Sequence, residues 1–448
     1  MSKHLRLFLL AIAICINAAW AGDLEDGDAA YLRKDYANAL KKYKSAAARK
    51  DVNAQFQIGI MYGSGEGVVQ DYAEAVHWFK MAAVQGNADA QHNLALKYYA
   101  GEGVIQNYTE AVRWFKMAAV QGNADAQYNL GAMYSSGQGV VQNYAEALRW
   151  FKLSAAQGNM DAQYNIGFAY TSGQGVVQDY AEAVRWYRLS AAQGSASAQY
   201  NLGYAYISGK GVAKNSTDAF GWYKLAAEQG NAIAQFNIGT MYGKGVGVKQ
   251  DYIEAINWTK LAAAQGYAEA QYNIGTMYFK GLGIKQDYGE AVRWFKLAAA
   301  QGFAASQYNI GIMYGEGRGV VQDYAEAVRW FKLAADQGLS NAQLNVATKY
   351  ENGIGVVQDY MEAVRWYKQA AAQGELLAQS NLASMYFSGK GVAKNYPLAY
   401  MWSNFAAIKN EEFKKKRNAI ASFMTAQQIA DAQKLARECQ ARNFKNCD

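Results

Sequence analysis

Residues 53–88 read NAQFQIGIMYGSGEGVVQDYAEAVHWFKMAAVQGNA, and the chain runs through that pattern ten times without gaining or losing a residue. Tryptophans mark the step: Trp78, Trp114, Trp150, Trp186, Trp222, Trp258, Trp294, Trp330, Trp366 and Trp402 are each 36 positions apart. A fixed period in the thirties signals a repeat array. It overrides the roughly three globular domains that the length of 448 residues would otherwise suggest. A stacked array grows along one axis and has no domain size to saturate.

The unit from Asn123 to Gly158 is typical. Ala126, Leu130, Met133 and Tyr134 recur at helical spacing and predict one buried face. Gly131 lies on that helix, where Gly costs about 1 kcal/mol relative to Ala. Its counterparts are only ever Gly or Ala, which implies close helix–helix approach. Gly137-Gln138-Gly139-Val140 follows, with Gly at the first and third positions of every unit. A phosphate loop would follow a strand and occur once, so this element reads as an interhelical turn with positive φ. Asn143 is the expected N-cap of a second helix, and Glu146 completes a capping-box pattern. Six units place Glu three before Arg, as in Glu146 and Arg149, which reads as solvated-face pairing. Ala147, Leu148, Trp150, Phe151 and Ala155 form a wide apolar face, and Gly158 ends the helix. The Trp column reads as core between neighbouring units.

This unit resembles the Sel-1-like repeat, a relative of the tetratricopeptide repeat. The residues that carry the match are Ala126-Gln127-Tyr128-Asn129-Leu130-Gly131, Gly137–Val140, Trp150-Phe151 and Gln157-Gly158. The resemblance implies an all-α, right-handed superhelical α-solenoid of antiparallel helix hairpins, with the first helices lining the concave side. It also implies adaptors that assemble protein complexes, exported bacterial members among them. The cysteine pair per repeat that marks a β-lactam-binding branch of the family is absent from this chain.

Outside the array, Lys3, His4 and Arg6 precede the apolar run Leu7–Ile16, and Ala19-Trp20-Ala21 fits a cleavage site. Residues 1–21 are therefore expected to be a signal peptide, with no later segment able to span a membrane. Its removal would take away Lys3 and Arg6 and no acid, so the formal charge of +7 would fall to +5. That weak bias does not point to nucleic acid. Residues 22–52 look like a degenerate capping hairpin, with Lys42 where Trp would stand. Ten repeats fill 53–410. In 411–448 the register dissolves into the charged run Glu411–Arg417 before a capping helix that opens at Thr425. Cys439 and Cys447 are either a terminal disulfide or two reduced thiols.

Chemistry-bearing constellations do not emerge. His77 and His92 stand apart from other ligand types, so neither a metal nor another cofactor is expected. The acids are repeated caps and surface pairs, and ten units of equal length leave no insertion on which to build a catalytic site. The positive signal is Tyr128, Tyr164, Tyr200, Tyr272 and Tyr308, one per unit at one position. This column either lines the concave surface as binding anchors or packs between helices. The expected function is a non-catalytic protein–protein scaffold in a bacterial envelope, chiefly the periplasm, or outside the cell. The rivals are an envelope or exopolysaccharide assembly factor and a β-lactam or cell-wall hydrolase. A Ser beside a Lys or Glu, in a pocket that one unit alone forms, would favour the hydrolase.

Overall fold

The computed structural model describes residues 22–407, 411–442, 444 and 447; the targeting segment read at 1–21 lies outside them. The chain divides between Trp222 and Tyr223 into two compact units. Each is an α-solenoid of helix hairpins at the 36-residue period, and the described residues contain no strand.

In the third repeat the helices are Ala124–Ser136 and Tyr144–Ala156. Asn123 caps the first, its Oδ1 accepting from the Ala126 amide at 2.8 Å. Gly137 ends it in the left-handed region at φ +75°, where its N–H reaches the Met133 carbonyl. Asn143 caps the second helix and accepts from the Ala145 and Glu146 amides, both at 3.1 Å. The reciprocal half of the expected capping box does not form. The Asn143 N–H already donates to the Tyr134 carbonyl at 2.9 Å, so it has nothing to offer Glu146. That carboxylate turns instead to Arg149, and all six Glu–Arg pairs of this kind are ion pairs on an exposed face. A complete capping box does form at Thr425 and Gln428.

The two turn glycines have different reasons. Gly137 supplies a left-handed C-cap. A Cβ on Gly139 would lie 2.3 Å from the Tyr108 carbonyl oxygen of the preceding repeat, so that position is where one repeat seats on the next. On the first helix, a Cβ on Gly131 would meet the Phe151 ring at 2.7 Å, which accounts for the small residue there.

Each core block joins a second helix, the following first helix and the Trp after it. Phe151 and Ala155 pack with Ala162 and Ile166, and Trp186 closes the block. The same arrangement recurs with Phe295, Ile310 and Trp330. A buried polar ladder threads these blocks. Gln127 donates to the Ala119 carbonyl at 3.0 Å and accepts from Gln157 Nε2 at 2.9 Å. Gln91 repeats this with Ala83 and Gln121, and Gln343 with Ala335 and Gln373. Burying an amide is tolerable only because its donor and acceptor are both engaged.

Ahead of the array, residues 22–32 and Tyr36–Ala47 are helical. Lys42, at the Trp position, pairs with Asp23 at 3.1 Å and Asp26 at 2.8 Å. Ser45 and Arg49 complete a polar patch that holds the Asp23 carboxyl down to about 2. At the other end the charged run is itself part of a helix, Glu411–Ala421, which the sequence reading missed. Ala426–Ala441 follows, and its buried Cys439 is bonded to Cys447 with the Cα atoms 5.1 Å apart. Cys439 and Cys447 pack in the cluster that holds Trp402 and Phe405.

Candidate functional site

Two places combine shape with chemistry. The first is periodic. Tyr128, Tyr164, Tyr200, Tyr272 and Tyr308 are half-buried at one position of successive first helices. Tyr128 leans on Phe151 with ring centroids 5.9 Å apart, Tyr164 on Tyr187 at 5.9 Å, and Tyr272 on Phe295 at 5.8 Å. Tyr308 does the same with Phe331 at 5.6 Å. Packing thus occupies one side of these rings, and burial pushes the phenols of Tyr128, Tyr200 and Tyr308 up. Tyr272 packs on Phe303 as well, at 5.2 Å, and cavities adjoin two of the rings. Tyr128 lines a cavity of about 370 Å³ with Leu96, Tyr99 and Asn129, and Tyr272 one of about 240 Å³ with Phe279, Asn309 and Ile312.

The residue after each column Tyr is Asn, and the two columns touch across repeats. Asn165 of the next repeat lies beside Tyr128 and Asn345 beside Tyr308, each opposing the upward push of burial on the phenol. His92 takes the Tyr position in its own repeat, packs on Phe115 and meets Asn129 Nδ2 through Nε2 at 3.0 Å. Burial pulls its pKa down, as expected of a packed imidazole. The first-helix face therefore presents a ring and an amide through the first eight repeats, with Leu344 and Ser380 taking the ring position in the last two. The sequence reading named the Tyr column but passed over Asn129 and its equivalents, whose signal was equally periodic.

Outside this face, Val69, Ile105, Val141 and Val177 form a second column on the interhelical loops, 86–91% exposed. Among the described residues no three His, Cys, Asp or Glu side chains group as a metal would require. Nor is any described helix long and apolar enough to cross a membrane.

The second place lies at the same groove position seven periods after the Tyr128 cavity, but a helix outside the period covers it. Where Glu411–Ala421 covers the tenth repeat's first helix, Leu376–Ser388, a cavity of about 370 Å³ is lined by Glu351, Ser384, Lys390 and Lys416 beside Met385, Phe387 and Ile420. Lys416 Nζ donates to the Ser380 carbonyl at 2.8 Å and to Ser380 Oγ at 3.0 Å. Burial lowers its pKa against the opposing pull of Glu351 and Glu412. Glu351 accepts from the Tyr367 hydroxyl at 2.5 Å, and burial with that bond pushes the phenol up. Sequence reasoning missed this site because it rests on the unrecognised helix. Phe413, Lys416 and Ile420 fall at helical spacing and were the available signal.

The sequence model described as "Sel1 repeat" matches residues 52–87, 88–123, 124–159, 161–195, 196–231, 232–267, 268–303, 304–339, 340–375 and 376–410. No curated protein matches the chain. Among solved structures, it is similar to c5321, a protective antigen of uropathogenic Escherichia coli with an SLR fold. That match has 33% identity and a TM-score of 0.85, covering 96% of this chain and 93% of the other. A Sel1 repeat protein from Oxalobacter formigenes matches at 32% identity and a TM-score of 0.55, over 69% of this chain and 89% of its own.

Proposed function

The chain belongs to the Sel1 repeat family, and from that premise we propose that it is a non-catalytic scaffold that holds a protein partner along its first-helix face. The observation that carries this reading is the repeated pairing of a half-buried aromatic with a neighbouring Asn, opening into cavities at Tyr128 and Tyr272. An extended segment crossing several repeats would meet a rigid ring and an amide donor–acceptor at each step. Many modest contacts in fixed register then add to useful affinity.

We place this scaffold outside the bacterial cytoplasm, in the periplasm or beyond the cell. Support comes from the apolar, positively led segment at 1–21, and from the similar E. coli protein being a protective antigen, as an exposed protein would be. Cys439 and Cys447, bonded to one another, fit an oxidising compartment. A second reading, binding of polysaccharide in envelope or exopolysaccharide assembly, is favoured by the exposed rings of Tyr99, Phe168 and Tyr204, which suit sugar stacking. The hydrolase reading gains little from Ser380, which is only 3% exposed and whose hydroxyl is held by Lys416.

The test is affinity capture from envelope extract with the chain from Gly22 onward, compared with Tyr164→Ala and Tyr200→Ala. A saturable protein partner, weakened in both variants while their urea midpoints stay near that of the parent, supports the scaffold. Retention of glycan alone moves the assignment to polysaccharide. Equal capture by parent and variants removes the Tyr column from the interface.

A further inference from the structure

The cavity under Glu411–Ala421 has a chemistry that the repeated face lacks. Lys416 is a half-buried ammonium that donates to the two neutral oxygens of Ser380 and feels the charge of the Glu351 and Glu412 carboxylates. A half-buried cation whose hydrogen bonds go to neutral acceptors retains affinity for an anion. Lys390 stands exposed at the same cavity, its ammonium 5.2 Å from the centre of the Tyr360 ring. Opposite in charge, Glu351 spends Oε2 on Tyr367, and its second oxygen remains an acceptor for an N–H. The remaining wall, Met385, Phe387 and Ile420, is apolar.

We propose that this cavity binds a 2-amino or 2-acylamino carboxylate with an apolar side chain. Lys416 and Lys390 hold the carboxylate, Glu351 takes the adjacent N–H, and the side chain lies on Met385, Phe387 and Ile420. A volume of about 370 Å³ accommodates one such residue with space for its neighbour. Two sources share this chemistry: a free apolar amino acid and the C-terminal residue of a peptide. Among the described residues the site is built once, because the helix that supplies Lys416 and Ile420 is not a repeat element. It lies in the groove position that Tyr99, Met133 and Gln138 line seven periods earlier, here Glu351, Met385 and Lys390, and the added helix sets it apart; small-ligand titration and partner capture still fail separately.

Calorimetric titration of the chain from Gly22 onward tests it with four probes: leucine, leucinamide, N-acetylleucine and N-acetylleucinamide. A charge-assisted carboxylate contact predicts that each acid binds at least about tenfold tighter than its amide. Leucine above N-acetylleucine identifies the free amino acid as the source, and the reverse identifies a peptide end. Lys390→Gln, at an exposed position, is expected to weaken the acids about threefold or more and leave the amides unchanged. Ala419→Trp, at an exposed position on the cavity rim, should abolish binding with the circular-dichroism melt preserved. Equal binding of acids and amides overturns the proposal, as does no binding by any probe. Undiminished binding in a folded Ala419→Trp variant places the ligand elsewhere and also overturns it.

Discussion

Replacing Gly139 with Ala tests the idea that the second turn glycine is a contact between repeats and not merely a flexible residue. Gly139 has φ +70°, and an added Cβ would stand 2.3 Å from the Tyr108 carbonyl oxygen and 2.4 Å from its carbon. A left-handed Ala costs about 1–2 kcal/mol. Pushing backbone away from backbone adds about 1–3 kcal/mol. The expected destabilisation is therefore about 2–5 kcal/mol. Gly122 is the control: its φ is +97°, but nothing lies within 4 Å of the added carbon. Gly122→Ala should show the conformational part alone, about 1–2 kcal/mol. Gly137→Ala, with φ +75° and its nearest neighbour Gln142 Cβ at 3.2 Å, should fall between the two. Because an array opens repeat by repeat, the measurement is native-state hydrogen exchange alongside urea unfolding. The informative amides are Ala111 and Asn143, bonded to the Asn107 and Tyr134 carbonyls on either side of the contact. If Gly139→Ala costs no more than Gly122→Ala, the repeats do not seat on one another through this carbonyl and the argument fails.

Gln127→Met removes the bonds to Ala119 and from Gln157 while keeping the volume, and should cost about 1–3 kcal/mol by urea titration; a neutral result would demote the glutamine ladder to decoration. Asp23, held at about 2 chiefly by Ser45, then Arg49 and Lys42, has a folded pKa below its ordinary 3.8. Its stabilisation is therefore complete above about pH 4 and lost as pH falls toward 2, and Asp23→Asn should remove that acid sensitivity. Surface screening keeps the effect to about 1 kcal/mol or less, read from urea midpoints between pH 5 and pH 2, roughly the span over which such a carboxylate titrates. Val141→Ser, at an 86% exposed site, should leave the urea midpoint within about 0.5 kcal/mol. Any loss of partner capture by that variant then assigns the loop column to the interface, and unchanged capture excludes it.

What a period can reveal was legible in the sequence. Small residues opposite Phe151, Asn or Asp before each second helix, and paired turn glycines followed from spacing and elementary conformational preference. What was lost needed knowledge of a third group. The capping box at Asn143 looked complete because Glu146 sits at the right distance along the chain. Its failure depends on the Tyr134 carbonyl, nine residues back, having already taken the amide. Gln127 carried a perfect period but no sequence hint that both ends of its amide are engaged inside the core. The Tyr column could be read as binding or packing because each ring has two sides. Tyr128 puts one against Phe151 and turns the other toward a cavity.

The charged run after the array shows the limit more sharply. Glu411–Arg417 reads as solvated because four of its seven residues are basic, two are acidic and only Phe413 is apolar. Charge content alone, however, does not say which face of a helix turns inward. Lys416 lies on the inner face with Ile420, one turn on, and desolvation of its ammonium is offset by the Ser380 oxygens. A long cationic side chain can serve as cover for apolar surface while its head finds acceptors. Repetition makes a surface predictable but also makes each step equivalent, so it favours a partner read over many steps. A small ligand needs an arrangement that occurs once, and in this chain such an arrangement arises where the tenth repeat is covered by a helix outside the period. The two binding readings thus belong to different parts of the sequence for one physical reason: extended partners use symmetry, and small ligands use the place where it breaks.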